Sequence, residues 1–561
     1  MLDRAPATVG QCPSLTRAEA HRTVLFMSAE PIPVLIAGGG PVGLALAIEF
    51  GMAGIQCLVV ERRDGSISVP KMSGLSIRSM ELNRRWGIAE IVQNSGWPKH
   101  HPQGLTYCTS MVGFELARHH VPAYNDQKLD YTPEPRVACA QLYYDPILLA
   151  KARSLPSVAI RHMTSLDSFS QDEDGVTATV TDRQTGKSET IRARYLVGCD
   201  GADGTVVTTL DPGYEGLGHV AHSVNVFFRS AEMMKIHDKG WSRFFRFTDA
   251  GGTWGEIIGI DGKELWRLSV LNADPNFDAD RYMRRLMGRN DVPYEVLSTM
   301  DWERRERVAQ RYRDRRVFLC GDAAHQNSPT GGLGLHTGLA DAVDLGWKLI
   351  ATLKGWGGSK LLDSYEAERK PIALYNVQAC TDEFVLLADL PGGPEITEDS
   401  PAGEAVRKRW VEAYHGSKGA NGPTFTENLR LGYYYEGSPI VVPDGTPAIP
   451  YETVPFVPNA RPGTRAPHAW LEEKTRSTLD LFGNNRFVLL RLGAEPRDAG
   501  RLADAAATRG LPLEVIDLAD PKLLDLYQRR LVLVRPDGHV AWRDDALPAD
   551  VLGLIDHVRG A

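Results

Sequence analysis

The sequence predicts an α/β protein with a parallel-sheet domain, an inserted antiparallel sheet and a separate C-terminal α/β domain. An apolar strand at 33–37, a glycine-rich turn, a helix-forming segment at 44–50 and a second strand at 57–61 make one βαβ unit. Between 223 and 310, short alternating segments predict an antiparallel sheet with one covered face. After Pro467, strand, helix and strand patterns follow again and predict a further small domain.

These patterns also predict the boundaries along the 561 residues. Residues 1–30 show no periodicity, so we expect a disordered extension, or a segment upstream of a true start at Met27. The other predicted divisions are 31–215 with 311–390 for the parallel-sheet domain, 216–310 for the inserted domain, 391–460 for a connecting segment and 461–561 for the C-terminal domain.

Composition and charge exclude several classes of protein. Lys and Arg number 63 and Asp and Glu 71, a net charge of −8 without a basic stripe, so nucleic acid is not an expected partner. No uninterrupted apolar window approaches about 18 residues, so no membrane span is predicted. Seven scattered cysteines without a CxxC pair indicate reduced thiols in a cytoplasmic protein and no metal site.

The first motif that carries chemistry matches G-x-G-x-x-G between the first strand and its helix. Gly38 permits a tight turn, Gly40 lets a pyrophosphate approach the backbone, and Gly43 lets helix and strand pack closely. The helix N-terminus would bind the phosphates. Glu61 ends the second strand and is placed to accept hydrogen bonds from a ribose diol. This predicts a Rossmann-like domain that binds the ADP part of FAD or NAD rather than NADP.

Two further glycine-rich segments follow apolar strands, and each adds an aspartate. Asp200-Gly201 is the first and Gly321-Asp322 the second. Taken singly, Asp next to Gly is usually a turn. Three glycine-rich strand ends in one chain instead indicate a common ligand, because ligands bind outside the carboxyl ends of parallel strands.

With these three motifs in this order, the chain resembles the FAD-dependent aromatic hydroxylases, the single-component class A flavoprotein monooxygenases of the phenol-hydroxylase type. Lys71 and Arg78 lie in a stretch similar to the one that follows the acidic residue in this family, and Gln141 resembles its FAD-contacting glutamine. The tail resembles the thioredoxin-like C-terminal domain of this subgroup. Because it has no cysteine, it cannot perform dithiol chemistry.

The resemblance implies an enzyme that uses FAD, O2 and NADPH (or NADH) to hydroxylate a phenolic or related small aromatic substrate through a flavin C4a-hydroperoxide. Asp322 would bind the ribityl hydroxyls, and Pro329 would border the flavin face where oxygen reacts. A helix start stabilises the negative charge of a reduced flavin. The backbone N–H groups expected at the flavin N1/C2=O edge are those of Gly332, Leu333, Gly334 and Leu335. A homodimer is the candidate assembly.

Some positions depart from the family pattern. Gly204 and Val207 stand where Ser and Arg usually follow the DG motif, so no phosphate or nicotinamide contact is assigned there. Ser328 replaces a proline, and His336 replaces a commonly seen asparagine. Ser73 occupies the place where some relatives carry a catalytic His or Asp, which leaves the general base unknown.

The inserted domain is rich in aromatic residues, and an aromatic pocket would suit a planar ring. Phe227, Phe245 and Trp254 are the candidate pocket walls, and the alternative is that they form the core of the sheet. Two other functions stay open. One is a flavin-dependent halogenase, although the surroundings of Trp254 do not match the W-x-W-x-I-P stretch of those enzymes. The other is a non-catalytic flavin-binding protein, which only the changed DG motif favours.

Overall fold

The computed structural model describes residues 30–388, 390–416, 423–451, 456–472, 474–483 and 485–561. The predicted extension at 1–30 therefore lies outside the described residues, apart from Glu30. The predicted α/β class is confirmed, with one mostly parallel sheet, one mostly antiparallel sheet and a four-stranded sheet near the C-terminus.

The first sheet has a parallel centre whose strands are covered on both faces. Its strands are β1 (Ile32–Ala37), β2 (Cys57–Val60), β5 (Val158–Arg161), β6 (Thr164–Gln171), β7 (Val176–Asp182), β8 (Ser188–Gly198), β14 (Arg313–Asp314) and β15 (Val317–Leu319). The order is β14-β15-β8-β1-β2-β5, and β7 pairs with β8 and β6 at one side. Continuous apolar runs such as Val34-Leu35-Ile36, fully buried here, are what a doubly covered sheet requires.

The register of this sheet brings the three glycine-rich motifs together. Ala37 at the end of β1 pairs with Gly198 at the end of β8, and Gly198 also pairs with Leu319 at the end of β15. All three strands are parallel, so the segments that follow them leave the same edge of the sheet.

Helices cover both faces of this sheet, and three of them begin at the glycine-rich motifs. The helices of this part of the chain are α1 (Pro41–Met52), α2 (Ile77–Arg85), α3 (Ala89–Gln93), α4 (Gln141–Ser154), α5 (Thr205–Leu210), α7 (Gly334–Leu353) and α8 (Ser364–Ala388). Helix α1 follows the first motif, α5 follows the second, and α7 follows the third and packs against α1.

The second sheet has eight strands and lies over the motif edge of the first. Its strands are β3 (Leu105–Cys108), β4 (Glu115–His119), β9 (Tyr214–Arg229), β10 (Phe244–Asp249), β11 (Gly252–Gly259), β12 (Leu265–Leu271), β13 (Glu295–Ala309) and β16 (His325–Gln326). The order is β16-β13-β9-β12-β11-β10-β3-β4, antiparallel except where β3 pairs with β10. The sequence assigned 31–215 to the first domain, whereas β3 and β4 add to the second sheet through this long-range pairing.

The outer face of the second sheet is an apolar core covered by α6 (Ala279–Met287). Phe228, Phe245 and Trp266 are buried in this core, together with Leu286 of α6. The opposite, inner face of the sheet borders the motif edge of the first sheet, and so forms the roof of the space between them.

In the described part of the connecting segment 391–460, the α-helices are α9 (Pro401–Gly416) and α10 (Pro423–Arg430). The elements that follow are β17 (Trp470–Glu472), β18 (Arg476–Ser477), β19 (Phe487–Leu492), α11 (Gly500–Thr508), β20 (Leu513–Leu518), α12 (Pro521–Tyr527), β21 (Leu531–Val534), β22 (Val540–Asp544) and α13 (Val551–Val558). Trp347 of α7 packs into the core of this C-terminal sheet beside Phe487, so the two domains share one apolar cluster. Within the described ranges, no helix has the length and apolar character needed to cross a bilayer.

Candidate functional site

One large cavity separates the motif edge of the first sheet from the inner face of the second. Its volume is about 1520 Å³. Sites for single small molecules usually measure about 300–1,000 Å³, so this cavity has room for an extended dinucleotide and a second molecule. The residues predicted to bind the cofactor that do line it are Gly38, Gly40, Glu61, Lys71, Gln141, Asp200, Gly201, Asp322, Pro329, Gly332, Gly334 and Leu335.

The G-x-G-x-x-G segment forms a tight turn with open space at its centre. Gly38 has φ +104°, and a Cβ on Gly43 would lie 2.0 Å from the Gly38 carbonyl oxygen, so neither position accepts a side chain. A Cβ on Gly40 would meet nothing within 4 Å. Glu61 accepts hydrogen bonds from the Gly39 N–H at 2.7 Å and the Arg63 N–H at 2.9 Å, which fixes its carboxylate at the cavity wall. Gly43 acts through packing and does not line the cavity.

The second motif places a partly unsatisfied carboxyl beside the first. Asp200 accepts from the Val206 N–H at 2.9 Å with one oxygen, while its Oδ1 is buried without a partner. Burial raises the pKa of Asp200 to about 6. A Cβ on Gly204 would lie 2.0 Å from the Asp200 Cγ, so the serine usual at this position cannot fit beside this Asp200 rotamer.

The third motif runs along the cavity and leads into α7. Asp322 and Pro329 are exposed, whereas Gly321 (φ +64°) lies behind them, where its N–H donates to Asp341 at 3.2 Å. The Gly332 N–H donates to the Pro329 carbonyl at 3.0 Å and is therefore already used. Leu333 has a buried side chain that does not line the cavity.

A chain of polar contacts joins the residues predicted from the family stretch. The Lys71 N–H donates to Gln141 Oε1 at 3.0 Å, and Gln141 Nε2 donates to Asp145 Oδ2 at 2.9 Å. Asp145 Oδ1 is buried without a partner, and burial raises the pKa of this carboxyl to about 7.

Arg78, which the family resemblance placed at the cofactor, and His325, next to the third motif, lie away from the cavity. Arg78 is buried against Glu81, at 3.2 Å, and donates to the Asp537 carbonyl at 2.9 Å, so it joins the first domain to the C-terminal domain instead of contacting the cavity. His325 is fully buried, and its Nε2 lies 2.7 Å from Asp341, which also accepts from Arg369. Both side chains therefore support the packing of the protein and do not line the cavity.

The predicted aromatic walls are not in the cavity. Phe245 and Trp254 point to the outer core of the second sheet, because residues alternate between the faces of a strand and this phase buries them under α6. Phe227 faces inward but is covered by Val69 and Ile260. The residues that do line the inner face include charged and polar ones, namely Asn225, Arg243, Arg246, Glu256, Arg267, Ser269 and Arg304, beside apolar ones such as Leu105, Phe244, Ile258, Leu265, Leu271 and Met300.

These arginines were missed, although the strand pattern contained a signal for them. In Phe244-Phe245-Arg246-Phe247, taking Phe245 and Phe247 as core residues turns Arg246 toward the cavity. Arg246 lies 2.5 Å from Glu256 on the neighbouring strand. Arg304 donates to Ser328 and Thr330 at 3.3 Å each, so it holds the loop around Pro329, and the serine that replaces a proline there serves as its acceptor.

His336 lies at the start of α7 and faces the cavity. Its Nδ1 is 2.8 Å from the Ser79 Oγ. Burial, together with the charges of Arg430 and Arg243, holds the pKa of His336 well below its ordinary value, so the imidazole is neutral near pH 7.

Comparisons with known proteins agree with this architecture. Residues 31–380 match a family model described as an FAD binding domain, and residues 459–559 match one described as the C-terminal domain of aromatic-ring hydroxylases. Aklavinone 12-hydroxylase from Streptomyces purpurascens is 32% identical, with 95% of this chain and 99% of the relative covered. For 2,4-dichlorophenol 6-monooxygenase from Delftia acidovorans the identity is 30%, with 91% and 94% covered.

A solved structure is also similar over nearly the whole chain. It is that of RebC soaked with chromopyrrolic acid and holding 7-carboxy-K252c. The identity is 39% and the TM-score 0.87, with 95% of this chain and 100% of that chain covered.

Proposed function

Because this chain belongs to the family of FAD-dependent aromatic-ring hydroxylases, we propose that it is a monooxygenase that uses FAD, NADPH or NADH, and O2 to hydroxylate a phenolic or polyketide-type aromatic ring. The observation that carries this proposal is the single cavity that joins the three glycine-rich strand ends to the inner face of the second sheet. A cofactor along the strand ends and a ring under the sheet would meet inside it.

The residues at the strand ends fit FAD. Space is open at Gly40, and α1 begins without a side-chain cap, so its first N–H groups are available to a pyrophosphate. Glu61 retains lone pairs for a ribose diol, and exposed Asp322 can accept from ribityl hydroxyls. When bound, FAD supplies the redox chemistry, passing electrons from the nicotinamide to O2.

The start of α7 would hold the polar edge of the flavin ring. The N-cap residue of α7, Leu333, has no side-chain hydrogen bond that caps the helix. Within the described part of the chain, the N–H groups of Gly334 and Leu335 have no backbone acceptor. These donors and the helix dipole stabilise negative charge without reorganisation. Arg304 fixes the loop that carries Pro329 against the same space.

His336 would act here as a hydrogen-bond donor with a fixed tautomer. The Ser79 N–H donates to Ser76 Oγ, and the Ser76 hydroxyl donates to Ser79 Oγ, both at 3.3 Å. The Ser79 hydroxyl is then free to donate to His336 Nδ1, which leaves the proton on Nε2. A neutral imidazole of depressed pKa is a weak base, so its role is to orient an oxygen of the substrate or cofactor.

The cysteines support the cytoplasm as the place of the reaction. Six of the seven lie in the described residues, and all six are free thiols. The homodimer stays a prediction that size-exclusion chromatography with light scattering would test.

The decisive experiment measures cofactor and chemistry together. Purified protein should carry FAD, oxidise NADPH or NADH faster when a hydroxylated multi-ring aromatic is added, and form product in proportion to the nicotinamide consumed. Gly40→Val should bind FAD at least about tenfold more weakly, because its side chain occupies the phosphate space. Gly416→Val, at an exposed helix end, is the control. Flavin that neither nicotinamide reduces would overturn the proposal.

The same assay separates the alternative functions. A halogenase would form chlorinated or brominated product when halide is present, and a non-catalytic flavin protein would form none. Relatives over the full length are named hydroxylases and monooxygenases, which favours oxygen insertion over halogenation.

A further inference from the structure

The inner face of the second sheet holds two buried arginines without carboxylate partners. Arg243 and Arg267 are 8% and 7% exposed, and both line the cavity. Neither forms an ion pair with any residue that the structure describes, whereas Arg246 beside them pairs with Glu256. Glu256 also attracts both cations but contacts neither, so the roof of the cavity holds two buried cations without a directly bound carboxylate.

Both guanidinium groups are held in place by one short segment of chain. Arg243 Nη2 donates to Ser73 Oγ at 2.7 Å. Arg267 Nη1 donates to the carbonyl oxygens of Pro70 at 2.8 Å and Lys71 at 2.6 Å. Because these anchors lie within four consecutive residues, the two cations border the same part of the cavity.

Each guanidinium also keeps unused hydrogen-bonding capacity. The Nε of Arg243 and the Nε of Arg267 are buried and have no partner. Burial lowers the pKa of Arg243 to about 9, with the charge of Arg430 adding to the shift, and burial lowers that of Arg267 to about 10, although Glu256 acts on both in the opposite direction. This is the physical cost of burying these cations. A buried charge is normally paired, so a bound anion would relieve that cost.

We propose that Arg243 and Arg267 form a subsite for a carboxylate on the aromatic substrate. The proposal rests on the function proposed above and specifies its substrate class. Planar guanidinium forks match the two oxygens of a carboxylate, whereas a phenolate offers only one oxygen. The phosphates of a dinucleotide are expected at the start of α1 and not at the guanidinium groups of Arg243 and Arg267.

The subsite also gives Ser73 a role. The Ser73 Oγ accepts from Arg243 Nη2 at 2.7 Å. A fixed cation therefore lies next to the position where some relatives carry a catalytic His or Asp. A substrate anchored there arrives already ionised at its carboxylate, and its orientation under the sheet is set by charge rather than by proton transfer.

The test compares acids with their esters on the FAD-loaded, oxidised protein. Calorimetry would measure binding of 2-naphthoate, 3-hydroxy-2-naphthoate and anthracene-2-carboxylate, each against its methyl ester. The acids should bind at least about tenfold more tightly than the esters. Arg243→Gln and Arg267→Gln should each remove about tenfold of acid affinity and leave ester affinity unchanged, with Arg243→Lys retaining part of it. Arg285→Gln, on the outer face of the sheet, should change nothing.

Three outcomes would overturn the proposal. They are esters that bind as tightly as acids, acid affinity that survives both glutamine variants, and a panel in which no acid binds. A fourth arm uses 2-naphthol: affinity equal to that of the acids and rising with pH would assign the cations to a phenolate. Because binding is read without nicotinamide, acid selectivity without turnover would count against the proposed function alone.

Discussion

Two buried clusters of charge in this protein are built in opposite ways. The cavity wall holds Arg243 and Arg267 without carboxylates. The junction cluster, formed by Asp344, Lys348, Glu368, Arg535 and Asp537, joins α7 and α8 to the C-terminal domain. Lys348 Nζ lies 2.7 Å from Asp344 and 2.6 Å from Glu368, and Arg535 donates to Glu368 at 2.5 Å and to Asp537 at 2.5 Å.

The difference shows how pairing decides what a buried cation does. Burial raises the pKa of Asp344 to about 8, so two cations face two ionised carboxylates in the junction cluster and no charge is left over. Such a cluster holds two domains in register, whereas the unpaired arginines leave their charge available to a ligand.

The largest effect is expected in the junction cluster. Glu368→Gln leaves Lys348 and Arg535 short of a counterion, and the free energy of unfolding should fall by about 3–5 kcal/mol. Urea denaturation of the FAD-loaded protein measures this. Breaking the exposed pair of Arg491 and Asp517 with Arg491→Gln should cost about 0–1 kcal/mol. Equal losses in the two variants would show that burial does not distinguish the pairs.

The next effect is a pH dependence from His539, which lies beside the junction cluster. Burial lowers the pKa of His539 to about 4 despite nearby Asp537, with Arg78 and Arg535 adding to the shift. Between pH 6.5 and 4 the unfolded chain therefore binds more protons than the folded one. Its contribution is complete above pH 6.5 and is lost toward pH 4, on the order of 3 kcal/mol. Urea midpoints at pH 7 and 5 should differ less in His539→Gln, and an unchanged difference would exclude His539 as the cause.

A carboxylate added to the cavity wall should form an ion pair with Arg243, as the carboxylates of the junction cluster do with their cations. Ser73→Asp places an acid beside Arg243 and should raise the free energy of unfolding by about 1–2 kcal/mol. The same change should weaken acid binding about tenfold, because the cation is already paired. Ser73→Asn, of the same shape without the charge, is the control. If both variants bind acids as the parent does, Arg243 is not in the subsite.

The smallest effect should come from removing an unpaired cation. Arg267→Met should change the free energy of unfolding by no more than about 1 kcal/mol, because it removes a buried charge without leaving an unpaired carboxylate, which offsets the loss of its bonds to two carbonyl oxygens. Arg535→Met, the same substitution in the junction cluster, should cost about 3–5 kcal/mol. A large loss in Arg267→Met would mean that its bonds to Pro70 and Lys71 are the main support of that segment.

The parts of the site that depend on local backbone geometry could be predicted from the sequence. A tight turn requires Gly38, open space for a phosphate requires Gly40, and close packing of helix and strand requires Gly43, all within six residues. Likewise, Asp200 and Asp322 follow apolar strands directly, so the parallel register alone brings them to one edge.

The predictions that depended on strand phase or distant pairing were less successful. Phe245 and Trp254 were expected at the cavity, but a shift of one residue turns every side chain of a strand to the other face. Arg78 was expected at the cofactor, whereas its partners are Glu81 and a carbonyl 459 residues away in the sequence. The pairing of β3 with β10 is another contact that no local pattern encodes.

The sequence by itself determined the α/β class, the cofactor motifs and the family, because each rests on short-range turns and strand–helix periods. Only the tertiary structure decided which side chains form the wall above the cofactor. Burial and pairing are properties of neighbours far apart in the chain, so Arg267 and Arg535 look alike in sequence. The fold gives Arg535 three acidic side chains within 3.1 Å and gives Arg267 none in the part of the chain that the structure describes.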